Sequence, residues 1–373
     1  GQAVIVVGDS KQMPPTSFFS ANTTDDDEAD MDDLESILDD CISLSMPSRY
    51  LGWHYRSKHE SLIAFSNQNY YDGRLTTFPS SDEMVPHVTL QHVEGFYDFG
   101  KTHTNRAEAE AIVAETIQRL QNNPERSIGI VAFSKTQSDL IEDLLSEALA
   151  EHVDLEQQNL GAEEPLFIKN LENVQGDERD VILFSVGYGP DKEGKLSMNF
   201  GPLNKVGGER RLNVAVSRAR YEMKVFSTLR PEQIDERRTQ AEGVLGLKQF
   251  LRFAEHGTSM LPASAQSTED HSLIVEQIAE VLSCKGYEVK TSIGSSASRV
   301  DLAIIDPLQS NRYALGIICD GSSYIQLKTT RDREVVQPKV LQMLGWNLMH
   351  VWTVDWLQNP DAVIKDIIKK IEP

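Results

Sequence analysis

The stretch that decides the fold is Phe167–Arg220: FIKNLENVQGDERDVILFSVGYG (167–189), a glycine-punctuated loop, then GGERRLNVAVSRAR (207–220). In its first half the polar turn Gln175-Gly176-Asp177-Glu178 feeds the apolar run Val181-Ile182-Leu183-Phe184, the pattern of a loop leading into a buried parallel strand. In its second half Arg210, Arg211, Arg218 and Arg220 surround Leu212, Val214, Ala215 and Val216 on an expected short helix, with a strand-like run from Met223 to Phe226 behind it. Guanidinium groups on a rigid element suit phosphate, because the planar fork supplies charge and bidentate hydrogen bonds together. A polar loop at the end of a parallel strand is a usual ligand position in open α/β sheets. Singly, each arginine is better read as part of a solvated basic face. The two segments together point to a charged, phosphate-bearing ligand.

Upstream, strands and helices alternate. Pro86–Tyr97 reads as a strand, Asn105–Leu120 as a helix with Asn105 as N-cap, Ser127–Phe133 as a buried strand and Thr136–Leu149 as a helix. Glu232–Glu255 reads as a terminal helix, so the whole is a parallel α/β domain. Gln2–Gly8 is a strand-like run ending in GDSKQMPP (8–15), and Leu34–Ser43 has helical spacing. Between them lies the acidic run Asp25–Asp33, read as solvated.

Composition sets bounds. The chain has 373 residues, 40% hydrophobic and 25% charged, which fits two soluble globular domains. No apolar run has membrane-span length, and Cys41, Cys284 and Cys319 form neither a disulfide framework nor a zinc pattern, so a cytoplasmic setting is the default. The net charge of −21 argues against indiscriminate nucleic-acid binding but leaves room for a local basic groove.

VQGDERDVI (174–182) resembles motif V, and RRLNVAVSRAR (210–220) motif VI, of superfamily 1 helicases of the Upf/DNA2-like branch. GDSKQMPP resembles motif III, and WHYRSKHESLIAFSNQNYYDGRL (53–75) motif IV, in which Tyr55-Arg56 opens a helix. The resemblance implies a second RecA-like domain of P-loop NTPase type. Asp9 and Gln12 would sense the γ-phosphate, and Arg56 and Arg218 would face it, Arg218 as an arginine finger. Glu178 and Gly176 would contact nucleotide, Gln175 nucleic acid, and Gln137 nucleic acid or nucleotide; for Gln137 a helix-start residue bonded to backbone is an equal reading. His54 and His59 read as surface or capping residues. Neither a P-loop of the GxxxxGK[ST] type nor a Walker B acid pair at a strand end is expected anywhere in the chain. In the family both precede motif III, so residue 1 is expected to fall inside the first RecA-like domain, and the chain alone is not expected to hydrolyse ATP.

From His271 the character changes. A helix (SLIVEQIAEVLSC), strand-like runs SRVDLAIID and YALGIICDG, a basic-edged helix through Trp346, the run HVWTVDWLQNP and a final helix follow. Acids at strand ends suit a Mg²⁺ phosphodiesterase. The pattern resembles the very-short-patch-repair-like branch of the PD-(D/E)XK restriction endonuclease fold. Carried over, Glu276 would be the helix acid, with Asp301 and Asp320 as metal ligands for Mg²⁺ or Mn²⁺. The chain departs from Ile-Glu-Cys-Asp-Gly at Ile318, and from a following Tyr-His pair at Ile325 beside Tyr324, so the fold is expected to persist and cleavage to be lost. Trp346 and Trp352 read as core, and Arg331, Arg333 and Lys339 as either a DNA path or a solvated face.

The expected organisation is therefore 1–20, the end of a first RecA-like domain; 21–44, an acidic segment and helix; 45–255, the second RecA-like domain; 256–270, a linker; and 271–373, a smaller restriction endonuclease-like α/β domain. The expected function is part of an ATP- and Mg²⁺-dependent helicase acting on nucleic acid, preferably DNA, with a missing first RecA-like domain as partner. The alternatives are a nucleic-acid-binding module without chemistry and a metal-dependent DNA endonuclease.

Overall fold

The computed structural model describes residues 4–14, 36–260, 273–296, 298–327 and 329–372. The acidic run 25–33, Pro15 and linker residues 261–270 lie outside the described residues. After α1 (Ile37–Ser43) and α2 (Ser61–Tyr70), the chain alternates through β1 (Val88–His92), α3 (Arg106–Asn122), β2 (Ile128–Ala132), α4 (Lys135–Ala150), α5 (Val153–Leu160), β3 (Phe167–Asn170), β4 (Arg179–Ser185), α6 (Gly208–Val216), β5 (Ala219–Ser227) and α7 (Glu242–His256). The five strands lie in the order β1-β5-β4-β2-β3, and every neighbouring pair is parallel.

The period-two geometry of a strand sends successive side chains of β4 to opposite faces. Ile182 and Phe184 pack with Leu62 and Phe65 of α2, Leu212 of α6 and Leu247 and Phe250 of α7. Val181 and Leu183 pack with Ile112 of α3 and Ile141 and Leu145 of α4. Covered on both faces, β4 must be apolar throughout, which is why VILF reads as a continuous run. Of the expected Gln2–Gly8 strand, residues 2–3 lie outside the described residues; Val4–Gly8 has no strand pairing, and Val4, Ile5 and Val7 are exposed. No described strand lies alongside to satisfy its backbone, so the local β propensity goes unused.

One end of the sheet is closed by a buried carboxylate. Asn105 caps α3, its side chain accepting from Glu108 N. The Glu108 carboxylate accepts from Thr228 N (2.7 Å), Gly187 N (2.6 Å), Ser185 Oγ (3.0 Å) and Asn105 Nδ2 (3.1 Å). The first three donors follow or end β4 and β5, so a single side chain ties the start of α3 to the carboxyl ends of two central strands.

The second domain runs α8 (Leu273–Cys284), β6 (Val289–Ile293), β7 (Val300–Ile305), β8 (Tyr313–Cys319), α9 (Ser322–Gln326), α10 (Gln337–Met343), β9 (Leu348–Val351), α11 (Thr353–Gln358) and α12 (Pro360–Ile371). Its sheet, β6-β7-β8-β9, is antiparallel except for the parallel β8–β9 pair. The run HVWTVDWLQNP thus gives only its first two residues to the sheet and turns helical at Thr353. One face packs on α8 and α12. The other face, through Val300, Ala303, Ile305, Tyr313, Ile318 and Trp346, receives Phe78 of the first domain.

Residues 77–81 are the strap between the domains. Trp346 stacks on Tyr313 at 5.2 Å and its Nε1 donates to Pro79 O at 2.8 Å. Tyr313 N donates to Ser81 O (2.8 Å), Ser81 N to Leu344 O (3.2 Å) and Ser296 Oγ to Thr77 O (2.7 Å). Gly316 is required here, because a Cβ would stand 2.6 Å from the Trp346 ring. The Glu60 carboxyl, buried beneath, accepts from Thr77 Oγ1 and from Ser295 N at 2.9 Å.

Two outcomes follow. Truncating the buried Phe78 to alanine should cost about 3–5 kcal/mol, read in urea unfolding of the whole chain together with faster amide exchange in β7 and β8. Burial pushes the Glu108 pKa from 4.5 up to about 7. The folded chain therefore holds a proton that the unfolded chain releases within that window, so this group's contribution to stability falls as pH rises from about 4.5 to about 7 and is level above it. Glu108→Gln should flatten that slope and, by turning a donor toward donors, cost about 1–3 kcal/mol at neutral pH.

Candidate functional site

The Gln175–Glu178 turn runs directly into Arg179, the first residue of β4, and Arg218 into Ala219, the first of β5. These strands are parallel neighbours, so both segments lie at amino ends. The rule for open sheets concerns carboxyl ends; the strand-end argument is corrected, and the clustering carries the site instead. Of the four arginines, only Arg210 and Arg211 lie on α6. Arg56 also lies ahead of its helix, which starts at Ser61, and not on it.

That displacement gives Arg56 its reach. Lys58 N donates to Arg220 O at 2.8 Å, holding residues 54–58 along the start of β5. Arg56 Nε donates to Glu178 Oε2 at 2.5 Å and Nη1 to Ser217 O at 3.3 Å. His54 Nε2 accepts from Ser57 N at 3.0 Å, closing the turn. Burial, then the charges of Arg56 and Arg218, lower its pKa to about 4, so the ring is neutral. Gly176, at φ +93°, makes the turn that aims Glu178 back; open space surrounds it.

Arg218 is 2% exposed. Its Nε donates to Val214 O at 2.7 Å and its Nη2 to Ser217 Oγ at 3.1 Å, and among the described residues it pairs with no carboxylate. Burial first, then repulsion from Arg56, lowers its pKa to about 10, so it remains a cation at neutral pH. Arg220, by contrast, is held by Glu164 and, at 2.9 Å, by Asp180, and is committed to packing the domain.

The residues 8–14 dock onto the same face. Asp9 Oδ2 accepts from Tyr71 Oη (2.8 Å) and Gln12 Nε2 (2.8 Å). Asn213 of α6 donates to Lys11 O at 2.8 Å, and Gln175 Nε2 to Met13 O at 3.4 Å. Asp9, Gln12, Arg56, Gln175, Gly176, Glu178 and Arg218 thus belong to one connected set. Asn213 and Tyr71, which sequence reasoning passed over, are its cross-links; the signal was their place inside the two quoted motifs.

Gln137 stands apart. It is 1% exposed, its Oε1 accepts from Asn105 N (2.8 Å), and its Nε2 donates to Asn105 O (3.0 Å) and Ser185 Oγ (3.2 Å). Its amide is used up inside the Glu108 network at the opposite, carboxyl end of the sheet. These bonds are those of the backbone-bonded reading, and they set Gln137 apart from the face that holds Arg56 and Arg218.

The P-loop expectation also needs correction. GFYDFGKT (95–102) fits GxxxxGK[ST] and lies between β1 and α3. It does not build a phosphate cradle. The helix starts only at Arg106 and its first turn is capped by Asn105, with the Glu108 carboxylate buried beneath it. Thr102 Oγ1 donates to Asp98 Oδ2 at 3.0 Å. A phosphate needs free helix-start amides; here Glu108 N is taken by Asn105 Oδ1 at 3.2 Å and Asn105 N by Gln137 Oε1 at 2.8 Å.

In the second domain Asp301 Oδ2 accepts from Cys319 N (2.7 Å) and Oδ1 from Ser323 Oγ (2.8 Å). Asp320 Oδ1 accepts from Thr353 N (2.8 Å) and Oγ1 (2.6 Å). Leu302 pairs with Ile317, so the antiparallel register sets Asp301 opposite Ile318, whose side chain is 8% exposed and packs in the cluster with Phe78. Glu276 is exposed on α8, and Glu276, Asp301 and Asp320 do not form a three-ligand metal group among the described residues. A histidine does stand by Tyr324, but it is His350 of β9, at 5.4 Å between rings. Its pKa is lowered by burial, against the charges of Glu334, Asp320 and Asp301. Sequence spacing could not find it, because it comes from a different strand. Trp346 and Trp356 are core; Trp352 is 39% exposed, packed on His350, contrary to the core reading.

An AAA domain model (AAA_12) matches residues 34–230, more than half of the chain. The chain belongs to this AAA domain family. The match spans α1 to β5 and includes the segments around Arg56, Glu178 and Arg218, and a second model, REase_MTES_1575, matches residues 275–371. The helicase-like AAA domain is therefore followed by a restriction endonuclease-like domain, as the motifs implied. Among curated relatives, the uncharacterized ATP-dependent helicase MG140 of Mycoplasma genitalium is 30% identical over 97% of this chain and 34% of its own length. Its Mycoplasma pneumoniae homolog is 27% identical over 98% and 34%. The mouse 5'-3' DNA helicase ZGRF1 is 26% identical over 61% of this chain and 11% of its own length. The chain spans about a third of the length of the first two relatives. No helix among the described residues is long and apolar enough to cross a membrane.

Within the AAA domain, Glu178→Ala should leave Arg56 with only its carbonyl partner. The pair is partly exposed, so a loss of about 1 kcal/mol is expected in urea unfolding.

Proposed function

We propose that this chain is the second RecA-like half of an ATP-dependent helicase motor acting on DNA, with a non-cleaving nuclease-like domain that grips the strand. The observation that carries the motor reading is Arg218: a buried cation without a carboxylate, beside Arg56, on a face shared with Asp9, Gln12, Gln175 and Glu178. An uncompensated buried cation is expensive unless an anion arrives. The donor set fits the γ-phosphate end of a nucleoside triphosphate, not a complete nucleotide site. ATP, when bound with Mg²⁺, supplies the phosphoryl transfer that drives movement.

Each residue has a task. Glu178 holds Arg56 extended and in place, which removes the entropy of ordering it later. Arg218 supplies charge to the γ-phosphoryl oxygens. Asp9 and Gln12, bonded to Tyr71 and to each other, link that end to the residues 8–14, and Gln175 joins this segment to the strand-facing turn. The mouse relative's name, a 5'-3' DNA helicase, supports DNA as the substrate. The relatives named as ATP-dependent support ATP.

Loss of cleavage rests on Ile318. A position opposite Asp301 that would hold a carboxylate instead anchors the domain to Phe78, and an alkyl group cannot ligate a metal. Asp301 and Asp320 serve as hydrogen-bond acceptors for the end of β8 and the starts of α9 and α11.

In a chain that also carries a P-loop-bearing first RecA-like domain, Arg218→Ala should lower DNA-stimulated ATPase by about 10³-fold or more; undiminished turnover would contradict the assignment. Incubated with labelled single-stranded and duplex DNA in Mg²⁺ or Mn²⁺, this chain should bind without cutting. Cleavage abolished by Asp301→Ala would instead establish a working nuclease.

A further inference from the structure

We propose that His59, Asp82 and His87 form a binding site for a borderline divalent ion of the Zn²⁺ class at the joint between the two domains. One ligand atom from each of the three lies within 4.8 Å of the others, and it is the three-ligand group among the described residues. None of the three belongs to the nucleotide-facing set, and the site is separate from the endonuclease-like acids.

His59 is 5% exposed and His87 8%. Their rings lie face to face, with centroids 3.3 Å apart and planes 11° from parallel. Burial, then the neighbouring His87 ring, lower the His59 pKa and favour its neutral form. Neutral imidazole is the form that ligates metals. His87 Nε2 is buried and has no hydrogen-bond partner. Such an orphaned acceptor or donor costs about 1–3 kcal/mol, and a cation at the site removes that cost.

The other ligand is a carboxylate: Asp82 Oδ1 lies 3.4 Å from His59 Nδ1. Glu83 Oε2 is 4.0 Å from the same nitrogen and accepts from Ser80 Oγ at 2.8 Å, while Ser80 Oγ meets His59 Nδ1 at 2.7 Å. Negative charge therefore gathers on this side. The nearby cation, Arg126, is turned onto the Tyr221 ring at 3.7 Å. Two nitrogens and one oxygen select for Zn²⁺, Co²⁺ or Ni²⁺ over the all-oxygen preference of Mg²⁺ and Ca²⁺.

The location gives the ion a role. His59 follows Arg56 by three residues at the start of α2, and Asp82 and His87 flank the turn between the strap and β1. Ser80 and Ser81, beside Asp82, carry the strap's contacts to His59 and to the endonuclease-like domain. The ion would fasten the strap to the helix that follows the phosphate-facing arginine, fixing the joint.

The test uses the whole, tag-free chain, stripped with chelator and titrated with Zn²⁺ by calorimetry, then with Co²⁺ by visible absorption. One equivalent of Zn²⁺ with a raised melting temperature and a Co²⁺ ligand-field band is expected. Asp82→Asn and His87→Gln should each weaken binding by upward of about 100-fold, since even groups that only orient ligands are worth about 10–100-fold. Asp82 is half exposed, so its variant should fold even if the histidine variant does not. No binding by the wild-type chain, equal binding of Mg²⁺, or Zn²⁺ affinity unchanged in Asp82→Asn would overturn the proposal.

Discussion

A buried carboxylate sets the frame of the first domain. Glu108 draws donors from the ends of β4 and β5, from Asn105 and from Ser185, with Gln137 bridging the same groups. Buried without those donors, the acid would oppose folding; with them, it fixes how α3 meets the sheet. The consequence reaches across the molecule. The carboxyl end of the sheet is filled by protein oxygens, which is why GFYDFGKT there makes no phosphate cradle. The amino ends of β4 and β5 are left to present Glu178, Arg218 and their partners.

The two domains meet through a short strap that serves both. Phe78 fills the apolar face of the second sheet, Trp346 bonds to Pro79, and Glu60 accepts from both sides of the joint. Ile318, opposite Asp301 in the β7–β8 register, packs in the same apolar cluster as Phe78, so the second sheet contributes to the joint as well as to its own domain.

Much of this was legible in sequence. The parallel α/β order followed from the spacing of VILF, SIGIVAF and the N-cap Asn105, because burial on both faces forces continuous apolar runs and the cap residue marks a helix start. Arg56, Glu178 and Arg218 could be named from local motif resemblance. What sequence did not give was partnership. The Gln175 turn lies at an amino end because β4 follows it, which the order of turn and strand already implied; that Arg218 stands beside it, at the start of the neighbouring β5, only sheet pairing reveals. Gln137 points inward because Asn105 and Ser185, distant in sequence, wait there. Val4–Val7 has strand propensity but no described neighbour. His350, and the His59–Asp82–His87 group, join residues from separate elements, and no spacing rule links them.

Residues 54–58, 175–178 and 214–220 lie on one face, proposed here to respond to phosphate. The most direct measurement is amide hydrogen exchange on the longer protein, with DNA present, comparing a non-hydrolysable ATP analogue with ADP. The account predicts added protection in these three segments with the triphosphate analogue and much less with ADP. Equal exchange in both states, or protection confined to the 95–105 loop, would contradict it.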